Sequence, residues 1–263
     1  MKLRRLLILA LIVLVLPGLA LAQTKTIKYA HFQPAKLDQP KQAAALAFKT
    51  YVEANSKGSI KVEIYPASQL GNDSATMEGL KMGTIELAVV HDGPISAVYK
   101  PFMVYAIPYL FDDQLMAWAV ADGPFGKEMA ADMTKKTGIR LIALADNGIR
   151  HFTNSKRPIK SPDDMKGLKM RVMTGPIWTK LVEPLGASPS PVPWTELPAA
   201  LQQGVVDGQE NGVTNILAAS LYQSQKYITL DGHVYSWHAY MMNDRFFTSL
   251  KPEEQQIVLK GID

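Results

Sequence analysis

An α/β fold built on a parallel sheet is the architecture this chain predicts. Residues 60–65 (Ile60-Lys61-Val62-Glu63-Ile64-Tyr65) alternate apolar and polar side chains, the mark of a half-buried strand. Ala44, Phe48 and Val52 recur at fourfold spacing, which defines one face of a helix over 40–55. Between residues 26 and 90 the two patterns take turns with short connections, as parallel crossover units require.

The elements follow in order. Residues 26–30 read as a first strand, and Gly58 closes the helix that follows it. Asp73 to Met82 reads as a helix with Met77 and Leu80 inward and Gly83 as its stop. Ile85 to Val90 is the next strand. Residues 101–113 carry Pro101, Pro108 and many aromatics without clean periodicity. Residues 114–137 return to helical spacing through Met116, Val120, Met129 and Met133. Ile139 to Ala145 reads as a buried strand, and 153–165 as an exposed connection containing Pro158 and Pro162. Leu168 to Val172 is a further strand. Helices are expected over 174–185 and 195–203, each closed by a glycine, Gly186 and Gly204. Tyr227 to Leu230 and Tyr235 to Met241 are two strand candidates, and Pro252 to Lys260 opens a last helix.

The first 22 residues set the compartment. Lys2, Arg4 and Arg5 precede an unbroken apolar run from Leu6 to Leu16, Pro17-Gly18 breaks it, and Ala20-Leu21-Ala22 supplies small residues at alternate positions. This is the pattern of a cleaved signal peptide, with cleavage expected before Gln23 and a periplasmic destination. The run is short for a membrane anchor. The remaining 241 residues, 23–263, lose three positive charges with the leader, so the formal charge drops from +4 to +1. The basic character is therefore largely the leader's, and nucleic acid is not an expected partner. The Lys/Arg cluster at 156–169 mixes in Asp163 and Asp164 and lacks aromatic interleaving, which fits a solvated face. There is no Cys, hence no disulfide, thiolate metal site or Cys nucleophile. An exported chain without disulfides depends on its apolar core, which 47% hydrophobic residues can supply. No Gly-x-Ser-x-Gly elbow, His-Glu-x-x-His zinc motif or Cys/His pair is present, so neither a cofactor nor catalysis is expected.

The segment 148–233 is more specific. Gly148-Ile149-Arg150 is followed by Thr153 to Ile159, by Asp164-Met165-Lys166-Gly167-Leu168-Lys169-Met170-Arg171-Val172, by Leu185-Gly186-Ala187-Ser188-Pro189, and by Ala200 to Asn211. Tyr65-Pro66 with Gln69-Leu70-Gly71, and Pro108-Tyr109-Leu110-Phe111, stand upstream. Together these motifs closely resemble the DctP-type solute-binding proteins of tripartite ATP-independent periplasmic (TRAP) transporters. The resemblance spans essentially the whole chain after the leader. Gly212 departs from it, since members usually carry Pro after the Glu-Asn pair. Members also continue for several tens of residues past the point matching Asp263, so the resemblance implies that the C-terminal part of the family fold is absent from this sequence.

The resemblance implies a two-domain periplasmic-binding-protein fold of the class II kind, with the ligand in a cleft. Domain I would comprise 23–147 plus 236–263, and domain II 148–235. It also implies a small organic acid as ligand and ion-driven TRAP permease subunits as partners. A periplasmic sensor that presents the acid to a receptor would need the same site. An exported enzyme is the other class to weigh.

Arg171 is the first candidate. A guanidinium offers a rigid fork of donors matched to a carboxylate and stays charged at any relevant pH. It stands in an otherwise apolar strand, where a charge needs a partner. Read from the residues alone, that partner would be an internal acid; the resemblance makes it the ligand carboxylate. Asn211 could donate to the same carboxylate or cap a turn beside its glycines, and the resemblance favours the ligand. Arg150 is a second anion contact by resemblance or, equally, a surface arginine at a strand end. Trp194 stands where members set a ring against the ligand, although a core role is commoner for the residue type. His91 ends a strand at the edge where α/β proteins bind ligands, with a structural imidazole as the alternative. Phe32 and Gln33 occupy the corresponding first loop. Asp73 suits a helix N-cap better than a ligand contact. His238, with Trp237, is a candidate on the later strand.

Overall fold

The computed structural model describes residues 24–263; the leader and its cleavage point lie outside the described residues. Eight strands are present: β1 (Lys25–Ala30), β2 (Ile60–Tyr65), β3 (Leu87–His91), β4 (Ile139–Asn154), β5 (Lys169–Val172), β6 (Ser188–Pro191), β7 (Gly208–Gly212) and β8 (Tyr227–Asn243). They form one sheet in the order β2-β1-β3-β8-β4-β7-β5-β6. The first three strands pair in parallel, as do β7, β5 and β6. The expectation of a purely parallel sheet is corrected at the centre, where β3–β8, β8–β4 and β4–β7 run antiparallel.

Helices cover the parallel part. α1 (Pro40–Asn55) starts with Pro at its first turn, where a missing N–H costs nothing. It turns Ala45, Phe48 and Val52 inward, so the buried stripe runs one residue off Ala44. α2 (Asp73–Met82) is capped by Asn72, whose Oδ1 accepts from Ala75 N at 3.1 Å. It ends at Gly83, whose φ of 82° a side chain would resist. α3 (Asp92–Val98) follows β3 directly, and a 3-10 turn spans Lys100–Ala106. Residues 114–137 form two helices, α4 (Gln114–Asp122) and α5 (Pro124–Thr137), because Gly123-Pro124 cannot carry the first one through. Met129 and Met133 are buried as the spacing requires, whereas Met116 is exposed. α6 (Pro176–Val182), α7 (Leu197–Gln202) and α8 (Val213–Ala218) serve the second half of the chain, and α9 (Asp244–Ser249) and α10 (Pro252–Ile262) close it.

Apolar residues collect in four clusters. One joins Met77, Leu80, Met133 and Trp237 on one face of the first strands. A second joins Phe48, Val52, Phe247 and Val258 on the other face. A third gathers Phe152, Met170, Val172 and Trp178 around β5, and a fourth holds Leu197, Leu201 and Ile216. β4 and β8 are the long pair that runs from the first two clusters to the third. Their ladder is irregular between Asp146 and Gly148, opposite Trp237 and Ser236, and again between Arg150 and Phe152. Among the described residues no helix is long and apolar enough to cross a membrane.

Candidate functional site

β5 lies between β7 and β6, so both its edges are paired. Met170 and Val172 enter the third core cluster, and Arg171 points the other way while remaining only 1% exposed. Its Nε donates to the carbonyl of Val192 at 2.8 Å. Its Nη1 is buried and has no partner among the described residues. Burial lowers its pKa to about 10, with Glu210 and Asp73 acting to raise it and Arg150 to lower it. The group therefore stays cationic at neutral pH.

Arg150 is equally buried, but its five N–H groups are all engaged. Nε and Nη2 grip the carboxylate of Glu210, and Nη2 also reaches the Glu210 carbonyl at 2.6 Å. Nη1 donates to Asn211 Oδ1 at 3.1 Å and to Ser236 Oγ at 3.4 Å. Burial pushes the Glu210 carboxyl upward, yet Arg150 and His233 outweigh it and hold it below the usual carboxylate range. The alternative of a surface arginine is thus corrected, since Arg150 is 1% exposed. It is an internal ion pair at the cavity wall that holds Asn211 in place.

Around Arg171 the chain closes a narrow cavity lined by Phe32, His91, Asn147, Arg150, Arg171, Met173, Trp194, Asn211, Asn215 and His238. Its free space is only about 10 Å³, near that of one water molecule. Phe32 lies 6.2 Å from Trp194 and 6.0 Å from His91, ring centre to ring centre, so aromatic surface shields the cation from solvent. Asn211 Oδ1 accepts from Arg150, Asn215 Nδ2 and Gly212 N. His91 and His238 are register partners across β3 and β8. Burial, together with Lys41 and His91, holds His238 far below the usual imidazole range, and it is neutral.

Of the sequence-derived candidates, Arg171, Asn211, Arg150, Trp194, His91, Phe32 and His238 meet at this cavity. Gln33 does not: its Oε1 accepts from Lys41 N at 2.8 Å, and it lines a separate surface hollow. Asp73 is neither the helix cap nor a wall of the cavity. It pairs with His91 Nε2 at 3.0 Å, and His91 and Arg171 overcome its burial to keep its pKa low. Trp237 belongs to the first core cluster. Sequence reasoning missed Asn147, Met173 and Asn215. Asn147 sits at the irregularity of β4, and Asn215 lies in the first turn of α8, four residues past Asn211 on β7; neither position carries a periodic signal in the sequence. Among the described residues no group of three or more His, Asp or Glu side chains could hold a metal ion.

A mixed sheet flanked by helices, closing over a small polar cavity walled from both halves of the chain, is the build of the two-domain solute-binding proteins. The chain belongs to the family of bacterial extracellular solute-binding proteins, family 7 (DctP), whose family model matches residues 30–263. It is 40% identical over 209 residues to a solute-binding protein of Verminephrobacter eiseniae, covering 80% of this chain and 62% of that protein. It is 33% identical over 234 residues to the C4-dicarboxylate-binding periplasmic protein DctP of Rhodobacter capsulatus, covering 88% of this chain and 68% of the relative. The crystal structure of a sugar acid binding protein from Advenella mimigardefordensis in complex with galactonate aligns with a TM-score of 0.85 at 32% identity, covering 91% of this chain and 76% of that one. The chain thus spans under two thirds of the length of the Verminephrobacter relative.

Proposed function

We propose that this protein captures a small organic acid in the periplasm, without chemical change, and delivers it to the membrane subunits of an ion-driven TRAP permease. The observation that carries this reading is Arg171: a permanent cation, fully buried, facing a cavity, and unpaired with any acid among the described residues. A charge so desolvated needs an anion, and the other arginine of the site already has one in Glu210. The ligand carboxylate docks on Arg171 and Asn211, while Trp194 and Phe32 pack its carbon skeleton. The relatives that bind a C4-dicarboxylate and a sugar acid support a carboxylate ligand.

The chain divides into domain I, 23–147 plus 236–263, and domain II, 148–235. The ladder irregularity at Asp146/Gly148 opposite Trp237/Ser236 supports this boundary. With about 10 Å³ free, no organic acid enters until the walls part, so binding needs a hinge motion that opens and recloses the cleft. Domain I contributes Phe32, His91 and His238 to the closure, and domain II contributes Arg171, Trp194 and Asn211. The leader sends the protein to the periplasm and is cleaved before Gln23.

The test is a thermal-shift screen of organic acids against the purified chain. A true ligand at a hundredfold excess over its Kd adds about 2.7 kcal/mol of stability. If no carboxylate raises the melting temperature while neutral sugars or amines do, the capture of an acid is wrong. Uptake of the acid lost on deleting the gene, and restored by it, tests the permease step.

A further inference from the structure

The hydrogen-bonding sense of the cavity is fixed by groups that act in one direction only. Arg150 Nη1 and the Gly212 N–H can only donate, and each lies 3.1 Å from the same atom of Asn211, which must be the carboxamide oxygen. That oxygen in turn sets Asn215, whose facing atom at 3.0 Å must be Nδ2. Asn211 is left with donors to offer and Asn215 with an acceptor, Oδ1. The imidazoles are set in the same way. Asp73 accepts at 3.0 Å from His91 Nε2, which therefore carries the proton. In the neutral ring, Nδ1 is then a lone pair, and it is buried without a partner among the described residues. His238 Nδ1 faces the carbonyl of Asp146 at 3.3 Å, which can only accept, so its Nε2 is the lone-pair nitrogen.

The cavity thus presents donors from Arg171 and Asn211 and acceptors from His91, His238 and Asn215. An ionised carboxylate satisfies the donors but has no hydrogen for the acceptors. A second carboxylate in the same ligand would set its lone pairs against theirs, leaving buried polar atoms unmatched. We propose that the ligand is a hydroxylated monocarboxylate, with its carboxylate on Arg171 and Asn211 and its hydroxyls donating to His91, His238 and Asn215. This rests on the capture reading above and narrows it to one class of acid.

Calorimetric titration of the protein at pH 8 tests it with acids matched in length. The four-carbon set is 2,3,4-trihydroxybutyrate, butyrate and succinate; the six-carbon set is gluconate, hexanoate and adipate. The hydroxylated acid of at least one set is expected to bind tenfold or more tightly than both its partners. His91→Phe and Asn215→Leu are each expected to cut that preference at least threefold in protein that still melts cooperatively. A dicarboxylate binding as tightly as its hydroxylated match, or a preference unchanged in both variants, overturns the inference and leaves acid capture standing. Failure of all six acids to bind overturns the inference and leaves acid capture to the wider screen above, whereas binding undiminished in Arg171→Ala overturns acid capture itself and the inference with it.

Discussion

At the scale of single residues, the two buried arginines of the site behave as opposites. Arg150 and Glu210 form a closed, bidentate pair at 1% and 0% side-chain exposure, whereas Arg171 keeps a donor without a partner. Breaking a closed buried pair is expensive because the surviving charge stays desolvated. Glu210→Gln should therefore destabilise the fold by about 3 kcal/mol, measured as a lower urea midpoint at unchanged slope. A loss under about 1 kcal/mol would mean that Arg150 finds another anion or water. The sequence points to both arginines, to Arg171 as a guanidinium in an apolar strand and to Arg150 through the family resemblance. It does not say which one is already neutralised, because Glu210 lies 60 residues from Arg150 in the chain and meets it only through the β4–β7 ladder.

Among the elements, legibility follows periodicity. β1, β2, α1, α2 and α10 each bury one face, and their patterns stand out in the sequence. β7 escapes because Gly208-Gln209-Glu210-Asn211-Gly212 is entirely buried and largely polar, so no apolar alternation marks it. β6 holds Pro189 and Pro191, tolerable only because it is the sheet edge. β4 and β8 read as shorter strands because ladder irregularities and the positive φ of Gly148 and Gly232 interrupt the alternation. A close contact between α3 and the segment after β5 was also invisible. A Cβ on Gly175, whose φ is 120°, would meet Ser96 Oγ at 2.6 Å and the Gly93 carbonyl at 2.8 Å. Gly175→Ala should cost about 1–3 kcal/mol through strain and clash, read as a fall in melting temperature. An unchanged melting temperature would mean that this approach is not tight in solution.

For the whole molecule, the buried imidazoles divide the pH dependence of stability. Burial pushes His233 down, but Asp231 and Glu210 outweigh it and raise its pKa above 6.5. Its contribution is complete below pH 6.5 and fades as pH climbs through the folded value. His238 works the other way. With its folded pKa well below 6.5, the unfolded chain takes the proton first and stability falls as the pH drops below 6.5. The stability lost in His233→Gln should therefore be larger at pH 6 than at pH 8. An equal loss at both pH values would show that His233 has no raised affinity for its proton. On the capture proposal, the form these imidazoles stabilise sequesters one charge on Arg171. The most direct test of that proposal is calorimetric titration of Arg171→Ala with the acid that best stabilises the wild type. The account predicts binding weakened by at least about 2 kcal/mol, more than tenfold, because the carboxylate would be buried without its partner. Affinity equal to that of the wild type would contradict it.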